Sequence, residues 1–234
     1  MIALKPRPSR QEGDVKKQHT DVIATCLTAF TVTVSLIPKP GFGRDPVIST
    51  ARPQMSITLR VVNEANVEKK TLLRAQRDAK TILGRAGLVL DWVPCEDGPA
   101  DWRSHNRCQQ PTGPAEFWLR IWLSKPVGTH SDTLGYTVLD AVQQIGAAGI
   151  CYPAVEEVVR RHHAETYQVL SAAIVHEIGH LLLGGARAHS PQGIMVARWS
   201  AREFELLSIG ELRFTAGQAQ QLRDEIRNRR RTER

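Results

Sequence analysis

The sequence predicts an α+β domain in which a small mixed β-sheet packs on a central helix and on a C-terminal helix. Three observations predict it. Short alternating segments such as "MSITLRVVN" and "LVLDWVP" read as strands, with a segment of helical period between them. A stretch with a single charged residue, "VLSAAIVHEIGHLLL", has the length and apolarity of a helix buried nearly all round. The last segment, "TAGQAQQLRDEIRNRRR", places Leu222 and Ile226 four apart on one side of a helix that Thr215 can cap.

In chain order, residues 1–54 read as a leader and linker, and residues 55–234 as the folded domain with a basic tail. Within the leader, Lys16 and Lys17 precede an uncharged run from Val22 to Ile37. The run is too short and too rich in threonine for a membrane span, which needs about 20 apolar residues. It suits the h-region of a secretory signal at about residues 16–37, and so a secreted or extracytoplasmic protein. A Pro- and Gly-rich linker follows, from Pro38 to Pro53.

The first strand is expected from Met55. The helix after it has an apolar stripe of Val67, Leu72, Leu73, Ala75, Ala79, Ile82 and Leu83, with Gly84 and Gly87 at its end. "LVLDWVP" is a second strand. "EFWLRIWLS" is a third, with Phe117, Leu119, Ile121 and Leu123 on one face. "SDTLGYTVLD" is turn-rich, "AAGICYP" is a short strand, and "EEVVRRHHAETY" is a polar lead into the central helix.

Hydrophobic content of 41% and charged content of 24% are ordinary globular values. The net charge of +7 is concentrated at the two ends, which favours a solvated tail over a specific nucleic-acid surface. A monomer is expected. Of the four cysteines, Cys26 lies in the leader, and Cys95 and Cys108 bracket a polar loop at a spacing that suits a disulfide. Cys151 is left as a buried small hydrophobe. No C-x-x-C pair is present, which argues against a four-cysteine zinc site.

The central helix carries the chemistry. His176 and His180 are one turn apart on one face, so both imidazoles can reach one ion. Glu177 is offset by about 100° and can hold a water without ligating the ion. Two neutral nitrogen ligands with a neighbouring base is the physical content of H-E-x-x-H. Buried without partners, these groups would each cost several kcal/mol, which makes chance accommodation in a core a poor explanation.

Catalytic zinc usually takes three protein ligands. Gly184 and Gly185 can end the helix and turn the chain back, which makes His189 the leading third ligand. Glu203 and Glu205 in "SAREFELLS" compete with it, and either would make a glutamate-type, gluzincin-like site. Met195 follows in a turn bounded by Gly193.

His176, Glu177, His180, a glycine, His189 and Met195 together resemble the metzincin clan of zinc peptidases, whose motif is H-E-x-x-H-x-x-G-x-x-H followed by a Met-turn. The resemblance is closest to small bacterial metzincin-like proteins with "HEIGHLLLG…HS…GIM", and it extends from about Met55 to the C-terminal helix. It implies a Zn2+-dependent endopeptidase acting on a peptide or protein substrate, with His176, His180 and His189 as ligands. It implies Glu177 as general base and Met195 as a hydrophobic support under the metal. It also implies an edge strand that pairs with an extended peptide, for which Ala147 to Tyr152 is the candidate. The departure from the pattern is one of length. Eight residues separate His180 from His189, with Leu183 and Ala186 at the positions where the clan has glycine and histidine. The rival reading is a secreted zinc-binding protein without activity, against which the unligated Glu177 speaks.

Overall fold

A computed structural model describes residues 55–95, 107–124, 133–140, 145–184 and 188–232 of the chain. The expectations for the leader, including the secretory segment and Cys26, lie outside these residues. Strands β1 (Met55–Asn63), β2 (Leu88–Pro94), β3 (Glu116–Trp122), β4 (Gly135–Asp140) and β5 (Ile145–Cys151) form one sheet in the order β2-β1-β3-β5-β4. Helices α1 (Lys69–Arg85), α2 (Tyr152–His162), α3 (Thr166–Leu183), α4 (Ala201–Ser208) and α5 (Ala216–Thr232) complete the α+β architecture. β2, β1, β3 and β5 run parallel, and β4 closes the edge antiparallel to β5.

The strands alternate because one face of the sheet is buried and the other is wet. Ile57, Leu59 and Val61 of β1 and Phe117, Leu119 and Ile121 of β3 all point into the core. Leu123 does not continue this face: it lies past the end of β3 and is 62% exposed. On the opposite face, Arg60 is buried beneath the chain that follows the disulfide. It donates to the carbonyls of Gln110 and Pro111 and pairs with Glu116 at 2.5 Å. Cys95 and Cys108 form the expected disulfide, with Cα atoms 5.7 Å apart, and Cys151 is buried and free.

α1 is the crossover between parallel β1 and β2. Ala75, Ala79, Ile82 and Leu83 form its buried stripe. Leu73 falls off that stripe and is exposed. The helix runs through Gly84, and the left-handed residue that turns the chain into β2 is Gly87, at φ +82°. Thr215 caps α5 as expected: its Oγ1 accepts from the Gln218 amide, whose side chain in turn accepts from the Thr215 N–H at 3.0 Å.

Three segments differ from the sequence expectation. "GYTVLD" is a strand, not a turn, and it is β4 that forms the sheet edge. The segment Ala147 to Tyr152 is not the edge: β5 lies between β3 and β4, and Tyr152 already begins α2. The polar stretch before α3 is the helix α2. Pro153 stands in its first turn, where a missing N–H costs nothing, and Ala154 and Val155 are its buried anchors. Its polarity follows from having only one narrow buried side.

Candidate metal centre

The site is built on α3, which buries 13 of its 18 residues. Small side chains at Ser171, Ala172, Ala173 and Gly179 let other elements close around the helix. Ser171, fully buried, is held by a hydrogen bond to Asp78 of α1. A helix enclosed in this way has little freedom to rotate. Its polar residues therefore stand at set positions.

His176 and His180 bring their Nε2 atoms to 3.0 Å from one another. The His189 ring joins them, with its centroid 5.5 Å from that of His176 and 4.6 Å from that of His180. One ligand atom from each of the three lies within 4.8 Å of the other two. Among the described residues this is the one group of three or more His, Cys, Asp or Glu side chains with such spacing. Gly184 ends α3 in the left-handed conformation, at φ +94°, with its N–H on the His180 carbonyl. The chain thus returns at Gly184, one residue after the position where the clan has its glycine, and the added residues still bring His189 to the pair. Residues 185–187, including Gly185, are outside those described.

The His176 ring is oriented from behind. Its Nδ1 lies 2.7 Å from the Ile194 carbonyl oxygen. A carbonyl only accepts, so Nδ1 carries the proton and the Nε2 lone pair faces the cleft. Burial lowers the His176 pKa to about 4, and the neighbouring His180 and His189 push it the same way against the Ile194 bond. The ring is therefore neutral at pH 7, as a ligand must be. Three imidazoles gathered on one point, two of them with ring nitrogens at 3.0 Å, fit a divalent cation that prefers nitrogen ligands.

Glu177 is 5% exposed and points to the sheet edge. Thr137 Oγ1 donates to its Oε2 at 2.7 Å. Its carboxyl also rests on Gly135, where an added Cβ would come within 2.6 Å of Oε1. Burial pushes the Glu177 pKa up to about 7, while the Thr137 bond pulls it down. A carboxyl so poised can take and return a proton near neutral pH.

Met195 is fully buried and its sulfur lies against Gly179, where any Cβ would collide with it. The turn that carries it depends on Gly193, at φ +78°, where a side chain would come within 2.6 Å of the Arg213 carbonyl. Glu203 and Glu205 take no part in the three-residue group. Glu203 closes the capping box of α4, its Oε2 accepting from the Ser200 N–H at 2.8 Å and from its hydroxyl at 2.6 Å. Glu205 is exposed. The glutamate-type alternative thus finds no counterpart among the described residues.

The triad and Glu177 open into a cleft of about 540 Å³. One wall is β4 with the residues before it, and the other is made by α2, Val196–Trp199 and Phe204. Thr137, Gly135 and His162 belong to this cleft, yet no spacing rule marks them in the sequence. The one legible signal was Gly135, since a glycine inside a strand often marks a close approach by another group.

No protein-family model matches the chain. No curated protein matches it either. Among solved structures it is similar to metalloproteinase-II from Bacteroides fragilis, with a TM-score of 0.41 and 14% identity over 76% of this chain. The chain covers 55% of that protein.

Proposed function

We propose that residues 55–234 form a zinc-dependent endopeptidase domain of metzincin type that hydrolyses peptide bonds outside the cytoplasm. The observation that carries this reading is the convergence of His176, His180 and His189 beside the buried carboxyl of Glu177. The Cys95–Cys108 disulfide is compatible with an extracytoplasmic location. Among the described residues no helix is long and apolar enough to cross a membrane.

His176, His180 and His189 would hold the zinc ion. Zinc supplies two things when bound: it acidifies water and polarises a carbonyl oxygen. Glu177 removes the proton of the attacking water as its oxygen joins the scissile carbon. It then passes that proton to the leaving nitrogen as the C–N bond breaks, so that one water is consumed and an acid and an amine are released. Thr137 holds the carboxylate in place for both transfers. Ile194 keeps the His176 tautomer that can ligate. Met195 packs beneath the histidine turn and sets its depth.

The test is a chelator-sensitive peptide cleavage assay with metal analysis alongside. Purified protein contains about one zinc per chain; His176→Ala and His180→Ala lose both metal and activity. Glu177→Gln keeps the metal and loses cleavage. A Glu177→Gln variant that cleaves like the wild type would overturn the mechanism. Zinc held without cleavage of any peptide would make the protein a zinc-binding module.

A further inference from the structure

The cleft beside the triad carries charge of one sign on one wall. Arg161 and Arg198 line it, with His162 between α2 and the aromatic residues, and Glu177 is the sole carboxylate among its described lining residues. The facing wall, from Thr133 to Thr137, is uncharged. An aromatic ladder leads outward from the metal-ligand turn. Trp199 stands edge-on to His176 at 6.2 Å, Phe204 edge-on to Trp199 at 6.1 Å, and His162 stacks on Phe204 at 3.8 Å. Arg198 precedes Trp199 and Arg161 precedes His162 in the chain, and both arginines line the cleft with these rings.

Arg161 pairs with Glu157 one turn back on α2, at 3.1 Å, with both side chains exposed. Glu157 also serves Arg160. An exposed pair of this kind contributes little and gives way to an incoming carboxylate at small cost. An anion laid along the ladder displaces water from an aromatic surface, and its bonds to guanidinium are charge-assisted.

We infer that this cleft selects acidic peptides: a carboxylate flanking the scissile bond docks against Arg161 and Arg198. The inference rests on the peptidase reading for the place of the scissile bond. The carboxylate is supplied either by an Asp or Glu side chain or by the peptide's own C-terminus, and the two sources call for the same guanidinium groups.

The test uses quenched-fluorescence peptides of one length that differ at single positions around the cleavage point. Each carries Glu, Gln or Lys there, and each is made with a free and with an amidated C-terminus. At low salt, kcat/KM for Glu exceeds that for Gln by about fivefold to tenfold at one flanking position, and the ratio shrinks as salt rises. A preference that follows the free C-terminus instead assigns the carboxylate to the chain end. In Arg161→Glu/Arg198→Glu protein the Glu-over-Gln ratio falls to one or below and Lys becomes preferred. Both residues are exposed, and a thermal melt of the double variant checks that it folds. Cleavage by the wild type without discrimination, or discrimination that survives the double reversal, overturns the inference and leaves the peptidase reading standing. A separate arm measures binding of the same peptides to zinc-loaded Glu177→Gln protein by fluorescence anisotropy. Tighter binding of the Glu peptides there, with no cleavage by the wild type, supports the inference and removes the peptidase reading. Equal binding of all three overturns the inference.

Discussion

Thr137 Oγ1 donates a 2.7 Å hydrogen bond to Glu177 Oε2, joining the edge strand of the sheet to the buried carboxyl on α3. Two elements that are 40 residues apart in sequence thereby meet at the group proposed to move the proton. The bond is to a charged acceptor, a type worth about 1.5–3 kcal/mol. Thr137→Val should therefore lower kcat by about tenfold or more with zinc content unchanged, and Thr137→Ser should restore most of it. Equal kcat in the valine variant would show that Glu177 is positioned without this bond.

Glu177 makes the metal-free protein sensitive to pH. Its pKa rises on folding from 4.5 to about 7 because of burial. A group raised in this way contributes stability that is present below pH 4.5 and lost as pH climbs through 7. The loss is roughly 3 kcal/mol. In chelator-treated protein, Glu177→Gln should raise the Tm at pH 8 relative to the wild type and give no such gain at pH 4.5. His176 acts in the opposite direction. Its pKa is lowered from 6.5 to about 4, so its contribution is present above 6.5 and fades as pH falls towards 4. Thermal melts of the two proteins across this range measure both.

Gly179 and Met195 fit together without room to spare. Gly179→Ala places a methyl against the methionine sulfur and should destabilise the fold by about 1–3 kcal/mol. The double variant Gly179→Ala/Met195→Ala should recover part of the loss and still bind zinc less tightly than the wild type. Denaturant melts and a zinc titration give the two numbers. Additive losses in the double variant would show that the two side chains do not share this space.

The disulfide closes a loop of sequence separation 13. By chain entropy, a closed loop of that length is worth about 3 kcal/mol. Cys95→Ser/Cys108→Ser should lower the unfolding free energy from denaturant melts by that amount, and reducing agent should do the same to the wild type. The triad lies on other elements, so zinc content at saturating metal should be unchanged.

Metal and fold are linked at the same site. Because the three histidines must all be neutral and in place, zinc added in excess should raise Tm, and the gain should shrink in acid as the imidazoles of the folded, metal-free site take protons in competition with the metal. His189→Ala, at the exposed member of the three, should reduce this gain while preserving the metal-free melt. A metal-dependent gain that survives in His189→Ala would remove that residue from the ligand set.

Much of this was legible in the chain itself. The pairing of His176 with His180 follows from helical spacing alone, and the burial of their helix follows from its apolar flanks. β1, β2 and β3 announced themselves by alternation, and Thr215 by its place before an amphipathic segment. These features depend on neighbours within a few residues, and local chemistry decides them. The disulfide was legible for the same reason, since both cysteines border one loop.

What escaped the sequence depended on contacts made across the fold. β4 was hidden because the segment that holds it reads as turn-rich, and its first residue, Gly135, leaves the space that the Glu177 carboxyl occupies. α2 was hidden because only a narrow side of it is buried. What occupies Glu203 was not legible either: it is taken up by the capping box of α4, while His189 lies with His176 and His180. Spacing determined that two histidines and a glutamate share one turn of helix. Only the packing of β4, α2 and the Gly193 turn around that helix decided which side chains gather beside them, Thr137 on Glu177 and His189 with the histidine pair, because tertiary contacts bring these groups together and helical spacing does not.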